Sequence, residues 1–600
     1  MKALLLLLTL LVSQSGVLPP VEDAAVRRAR EAEARRPDLP EGTRGEQILK
    51  LLHDSRYAEA RALEGRLDPG DGWTPWAVAN LRFHDGDYAA AAAALPAEGL
   101  DTGREAAIPW LRERIAGSAR ATAGMDERAV GEFIYRWAPG PDEVLVEYGD
   151  EPLRKQREFL VDLLKVRPEV PTIVEFLPTF GAFVDATGLP AEWVSTTGTV
   201  AIAKWDRMMV LSPVNMPRGY GWQDTLAHEY VHLALSRASR DEAPIWFQEG
   251  TARVLETRWR SDDTRAWLDV RTESLLAKGV RDSALIPFAS MHPSMAALPS
   301  SELAALAFAQ VAFAVDWIFA EAGNEGYRRI VEKMVLTGDA MRAVDLVLGS
   351  AGGGFEKRVR RRIEGAGLTI RADVGHLPIE IVSPRRGRRL QSKPDGLEIG
   401  GPPTGPAGGT VARKPPRPDF DGGIDEDTEE PAVPPGFAQP GAEQEGRELD
   451  PILAADEAMK RHTRLGDLLR VRGRPLAALL QYRKADEAGP YHSPALANKQ
   501  ARALKALGEL DEAADVLRDS ARLYPEYAAT AALAVEVAAL LNDDAGVLEA
   551  ARRAIALNPF DPQVHVYYAA ALRRVGDEAA AAREADVLSM LTRRRPEPTR

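Results

Sequence analysis

The 600-residue chain contains no cysteine. Disulfides, thiolate nucleophiles and cysteine-ligated metals are excluded, so stability must come from packing. Histidine is also scarce, at nine residues, and any regular spacing of two stands out. Aromatic residues make up only 6%, although alanine-rich stretches lift the apolar share to 45%. Basic charge is not in excess: 76 Lys and Arg face 89 Asp and Glu, for a formal net charge of −13. That balance favours solubility and gives no reason to expect a nucleic-acid partner. Long apolar runs are few. The opening MKALLLLLTLLVSQSG combines Lys2, an apolar core at Leu4–Val12 and the small-residue stretch Ser13-Gln14-Ser15, the pattern of an export signal over residues 1–15. Its apolar core is about half of what a membrane span needs. The expected destination is the periplasm or the exterior. The longest later apolar run, Leu303–Ala320, is interrupted by Gln310 and Asp316 and reads as a buried helix. No stable membrane span is expected after signal cleavage.

What is present separates by texture into several domains, as this length requires. Residues 45–125 are helical, with HDSRYAEARAL (53–63) echoed by HDGDYAAAAAAL (84–95). Residues 130–382 change character. Apolar, β-branched runs at Val144–Tyr148, Thr172–Leu177, Thr199–Lys204 and Met208–Ser212 predict strands, and helices dominate from Trp222 onward. The amphipathic EPLRKQREFLVDLLKV between the first two runs predicts a strand–helix–strand crossover joining parallel strands. Residues 383–450, with GGPPTGPAGG, KPPRPDFDGG and the acidic DEDTEE, are too rich in proline and glycine to bury a core and read as a linker. Residues 455–595 repeat: Gly508, Asn542 and Gly576 stand 34 residues apart at turns between helices, as do Pro525 and Pro559 at the ends of units. A helix–turn–helix period of 34 resembles the tetratricopeptide (TPR) family, whose groove often holds a protein partner.

The chemistry concentrates at residues 225–249. In TLAHEYVHLAL, His228 and His232 are four apart and share one helical face, so their imidazoles can converge on one ion. Glu229 is close enough to hydrogen-bond a water on that ion without ligating it. The plain alternative is an amphipathic helix whose histidines are satisfied by neighbours. Two histidines do not complete a catalytic zinc site, which takes three protein ligands and one open position. PIWFQEGTAR supplies a third: Pro244 suits a helix start, the polar ASRDEA suits a reversal, and Glu249 can then approach from the second helix. Gly250 is expected to let the helices pack closely, with Trp246 and Phe247 as apolar walls.

HExxH followed by W-F-Q-E-G-x-A resembles the gluzincin metallopeptidases, most closely the bacterial peptidase MA-like domains, over residues 130–370. The resemblance implies an α+β zincin-like metallopeptidase domain, a small mixed sheet followed by helices, flanked by all-α TPR-like repeats. It implies one zinc ion held by His228, His232 and Glu249, with Glu229 as general base. The implied function is an exported zinc metallopeptidase, an endopeptidase acting on peptide or protein substrates, with the repeats recruiting a partner or substrate. The strand at Met208–Ser212 is the expected edge for an extended substrate. Two departures stand out. Phe308 occupies the place where relatives carry an oxyanion-stabilising tyrosine, leaving His292, Tyr327 or Tyr220 as substitutes. No GAMEN-like segment is present, which argues against an aminopeptidase. The alternative is a catalytically silent metallopeptidase-like domain in a TPR scaffold.

Overall fold

The computed structural model describes residues 41–95, 107–168, 171–216, 218–292, 294–295, 298–351, 353–371, 375 and 456–592. The expected export signal (1–15) and linker (383–450) lie outside the described residues. Two helical hairpins come first, α1 (Arg44–His53) with α2 (Tyr57–Ala62) and α3 (Thr74–His84) with α4 (Tyr88–Ala94), followed by α5 (Ala107–Thr122). Their starts are locally encoded. At α1 the Thr43 hydroxyl accepts from the Glu46 amide while the Glu46 carboxylate accepts from the Thr43 amide, a reciprocal cap.

A five-stranded mixed sheet follows. Strands β1 (Asp126–Val130) and β2 (Phe133–Trp137) form a hairpin turning at Gly131, and α6 (Val144–Leu164) crosses to β3 (Thr172–Leu177). Helices α7 (Phe180–Thr187) and α8 (Ala191–Thr197) lead to the hairpin of β4 (Ala201–Lys204) and β5 (Arg207–Leu211). The spatial order is β1-β2-β3-β5-β4, with β2, β3 and β5 parallel and the two outer strands antiparallel to their neighbours.

Two strand expectations need correction. Val144–Tyr148 is not a strand but the opening of α6. Its buried residues continue at helical spacing through Pro152, Leu153, Gln156, Leu160 and Leu164, and that long buried stripe overrides the β-branched run. The crossover therefore starts from β2, whose side chains alternate between buried and half-buried along FIYRW. Second, Met208–Ser212 is not an edge. Strand β5 is paired on both sides, by β3 and β4, and the free edge on that side of the sheet belongs to β4. The β4–β5 turn puts Trp205 and Asp206 at positive φ, 54° and 59°, as a two-residue hairpin of this hand requires. Tertiary contacts support that backbone: Trp205 packs edge-on against Phe83 at 5.0 Å, and buried Asp206 pairs with Arg237.

Helices α9 (Trp222–Ser239), α10 (Ile245–Leu255), α11 (Val270–Arg281), α12 (Ser301–Thr337), α13 (Ala340–Leu348) and α14 (Phe355–Glu364) complete this half. By length and composition α12 could cross a membrane, but 61% of its most apolar stretch is buried, and it packs against α10 as a core helix. It breaks at Gly323, where φ is 62°.

Eight further helices form four consecutive hairpins: α15 (Glu457–Val471), α16 (Pro475–Ala488), α17 (Pro494–Leu507), α18 (Leu510–Leu523), α19 (Ala528–Leu540), α20 (Asp544–Leu557), α21 (Pro562–Arg574) and α22 (Glu578–Thr592). Gly473, Gly508, Asn542 and Gly576 make the tight turns, all at positive φ. A separate apolar core around Leu479, Tyr482 and Leu517 joins the first four helices and reaches Leu533 and Val537 of α19. The last four helices also pack elsewhere. Val535, Ala551, Ile555 and Val564 belong to the core that also contains the sheet, and the described residues form one compact unit.

Candidate metal centre

The site is built from α9 and α10. The turn between them is forced by Arg240 and Asp241, both at positive φ (52° and 61°), which reverses the chain so that α10 lies against α9. Gly250 then brings α10 against α12: a Cβ there would lie 2.5 Å from the Val311 carbonyl oxygen. The close approach expected of Gly250 is thus made to α12. Trp246 and Phe247 do not wall the site with free surface. Trp246 stacks on Phe288 at 4.9 Å and Phe247 on Tyr327 at 5.4 Å, as core residues.

This arrangement gathers His228, His232 and Glu249. The Nε2 atoms of His228 and His232 lie 3.4 and 3.6 Å from the same Glu249 oxygen, Oε2. One donor atom from each residue falls within 4.8 Å of the others. Ligands about 2.0–2.1 Å from a shared tetrahedral ion stand roughly 3.3–3.4 Å apart, so these separations match edges of such a polyhedron. The side chains are 13–20% exposed, buried enough to be held and open enough to be reached.

The other ring nitrogens are occupied, which fixes the rings. His228 Nδ1 lies 2.9 Å from Glu256 Oε2, and His232 Nδ1 lies 3.3 Å from Gln248 Oε1. Gln248 is itself oriented, since its Nε2 donates to the Ala243 carbonyl at 2.9 Å. With each Nδ1 held by a carboxylate or amide oxygen, Nε2 is the atom each ring turns to the shared centre, the arrangement that histidine ligands need. Glu256 and Gln248 are the residues that motif reading passed over. The signal for Glu256 was present, because it follows Glu249 by two helical turns.

Electrostatics agree with a cation site. Burial opposes charge on His228, but Glu249 and Glu256 outweigh it and raise its pKa to about 10. His232 moves the same way, burial again being overcome by Glu249. Burial would raise the Glu249 carboxyl, yet the two histidines hold it well below the usual carboxylate range. Glu229 behaves differently. It is 6% exposed, and burial pushes its carboxyl above the usual range despite the two histidines and a hydrogen bond from the Ala203 amide. Its carboxyl thus lies near both the histidine pair and the edge strand β4.

Two of the residues weighed as oxyanion donors spend their hydroxyls in other bonds. The Tyr327 hydroxyl lies 2.8 Å from the Thr251 hydroxyl, and its ring stacks on Phe319 at 4.3 Å. The Tyr220 hydroxyl donates to the Leu211 carbonyl at 2.6 Å. His292 is exposed, and half-buried Phe308 has no side-chain polar atom.

The start of α9 is anchored from far along the chain. Trp222 Nε1 donates to the Ile555 carbonyl at 2.8 Å, and the Tyr220 amide to the Leu557 carbonyl at 3.2 Å. Helix α9 thus rests on the end of α20. A scan against protein-family models finds no match for the chain, and a search of curated proteins finds none either.

Proposed function

We propose that the chain is an exported zinc-dependent metallopeptidase of gluzincin type that hydrolyses peptide bonds as an endopeptidase. The observation that carries this reading is the convergence of two Nε2 atoms on one Glu249 oxygen, at 3.4 and 3.6 Å, with buried Glu229 beside them. His228, His232 and Glu249 would hold one zinc ion, and a zinc ion so held supplies Lewis acidity and makes water acidic near neutral pH. Glu229 takes the proton released by the attacking water and passes it to the leaving amine.

Substrate alignment falls to β4. The Leu211 amide donates to the Val200 carbonyl at 2.8 Å, so pairing alternates and the backbone groups of Ala201 and Ala203 turn away from β5. The Ala203 amide already serves Glu229. The remaining outward groups offer an extended peptide a strand to pair with, next to the proton acceptor. The four C-terminal hairpins are read as TPR-like repeats that recruit a protein partner or substrate.

Glu229→Gln tests the assignment. It should retain zinc while hydrolysis of an unstructured protein falls by about 10²–10⁴-fold. A fully active variant would remove Glu229 from the role. A second reading, a catalytically silent zinc-binding domain in a repeat scaffold, is favoured by one observation: Tyr327 and Tyr220 spend their hydroxyls elsewhere. Zinc bound without chelator-sensitive cleavage would select it.

A further inference from the structure

The first C-terminal hairpin carries a surface that its own packing does not use. Five exposed large apolar side chains lie in its sixteen residues Leu465–Leu480: Leu465, Leu468, Val471, Leu476 and Leu480, at 42–76% exposure. They are five of thirteen such side chains among the described residues, so the concentration is local. On α15 the stripe follows helical spacing on the side opposite buried Met459, Thr463 and Gly466. Val471 and Leu476 flank the turn Arg472-Gly473-Arg474, where φ of Gly473 is 68°.

Cations interleave with this stripe. Arg461, Arg464, Arg472 and Arg474 are exposed, and among the described residues they make no ion pair. Residues 457–488 carry eight Lys and Arg against four Asp and Glu, in a chain whose net charge is −13. The hairpin's inner face is packed. Tyr482 donates to Asp467 at 2.9 Å, His462 Nδ1 meets Gln481 at 2.9 Å, and a Cβ at Gly466 would strike the Tyr482 ring. The outer face is therefore rigidly displayed.

The geometry points to this hairpin as a docking surface for an anionic lipid bilayer. A second copy is disfavoured because two such faces repel. Exposed aliphatic side chains flanked by guanidinium groups, without an aromatic anchor, suit a lipid interface better than a protein hot spot. Arginine pairs with headgroup phosphate in a fork, and each arginine near an anionic surface contributes about fivefold in binding.

Vesicle co-sedimentation with the full chain tests this. The protein should sediment with phosphatidylcholine vesicles carrying phosphatidylserine, and not with pure phosphatidylcholine. Arg472→Ser/Arg474→Ser should weaken binding roughly 25-fold, and added salt should weaken the wild type. Val471→Ser/Leu476→Ser should also weaken it, by roughly tenfold, which a purely ionic contact would not show. All four side chains are exposed or at a turn, so thermal midpoints should not move. Equal binding to neutral vesicles, no binding to anionic ones, or indifference to both double variants would overturn the inference. So would soluble polyglutamate that displaces the vesicles and ignores the Val471/Leu476 change, since that outcome identifies an acidic protein partner.

Discussion

Two buried histidine–carboxylate clusters in this molecule look alike in sequence and behave differently in space. At the junction of α6 with the last hairpin, His565 Nδ1 lies 2.7 Å from Glu584 and its Nε2 lies 2.8 Å from the Pro559 carbonyl. Tyr148 donates to the same Glu584 carboxylate at 2.6 Å. Both ring nitrogens are spent, and His565 and Glu584 are 0% exposed. At the α9–α10 site each Nδ1 is held by a neighbour, and the two Nε2 atoms converge on one carboxylate with a route to solvent. The first cluster is closed, its ring nitrogens going to separate acceptors with no exposure. The second is open to solvent, with one nitrogen per ring aimed at a shared centre, as a metal requires.

Three changes would break or sharpen that contrast. The largest expected effect is at the closed cluster: Glu584→Ala leaves His565 and Tyr148 buried without their acceptor and should cost about 3–5 kcal/mol in chemical unfolding. Zinc content should stay unchanged, and loss of zinc with retained stability would erase the distinction. At the open cluster, Glu256→Gln should weaken zinc affinity by about 10–100-fold with little change in fold, measured by competition with a chelator. An unaltered affinity would show that Glu256 does not orient His228. The smallest effect is in pH dependence. A histidine whose folded pKa is raised stabilises the fold fully below its unfolded value, and that stability is lost as pH rises toward the folded value. Metal-free protein should therefore lose stability between about pH 6.5 and 10, from His228. Zinc replaces the proton there, so loaded protein should lack the slope. Thermal midpoints across that range check it.

Legibility from sequence followed distance along the chain. His228, His232 and Glu249 were readable because helical spacing and one reversal are local, and the spacing alone brings them to one face and its neighbour. Their supports were harder: Gln248 and Glu256 flank a motif without belonging to it. Val144–Tyr148 differs from the strand its composition suggests because a five-residue, largely apolar run cannot distinguish a strand from a buried helix start. The identity of the sheet edge was not local at all, since only the pairing of β3 with β5 reveals that Met208–Leu211 is internal. The seating of α9 on α20 joins residues 333 positions apart, through Trp222 and Ile555, and no period or cap announces it.

The most direct measurement of the central claim is zinc stoichiometry of the purified full chain after dialysis, beside Glu249→Ala. One equivalent in the wild type and none retained in the variant is expected, because two imidazoles alone leave the ion under-coordinated. A wild type that keeps no zinc, or a variant that keeps the full equivalent, would contradict the open cluster as a metal centre.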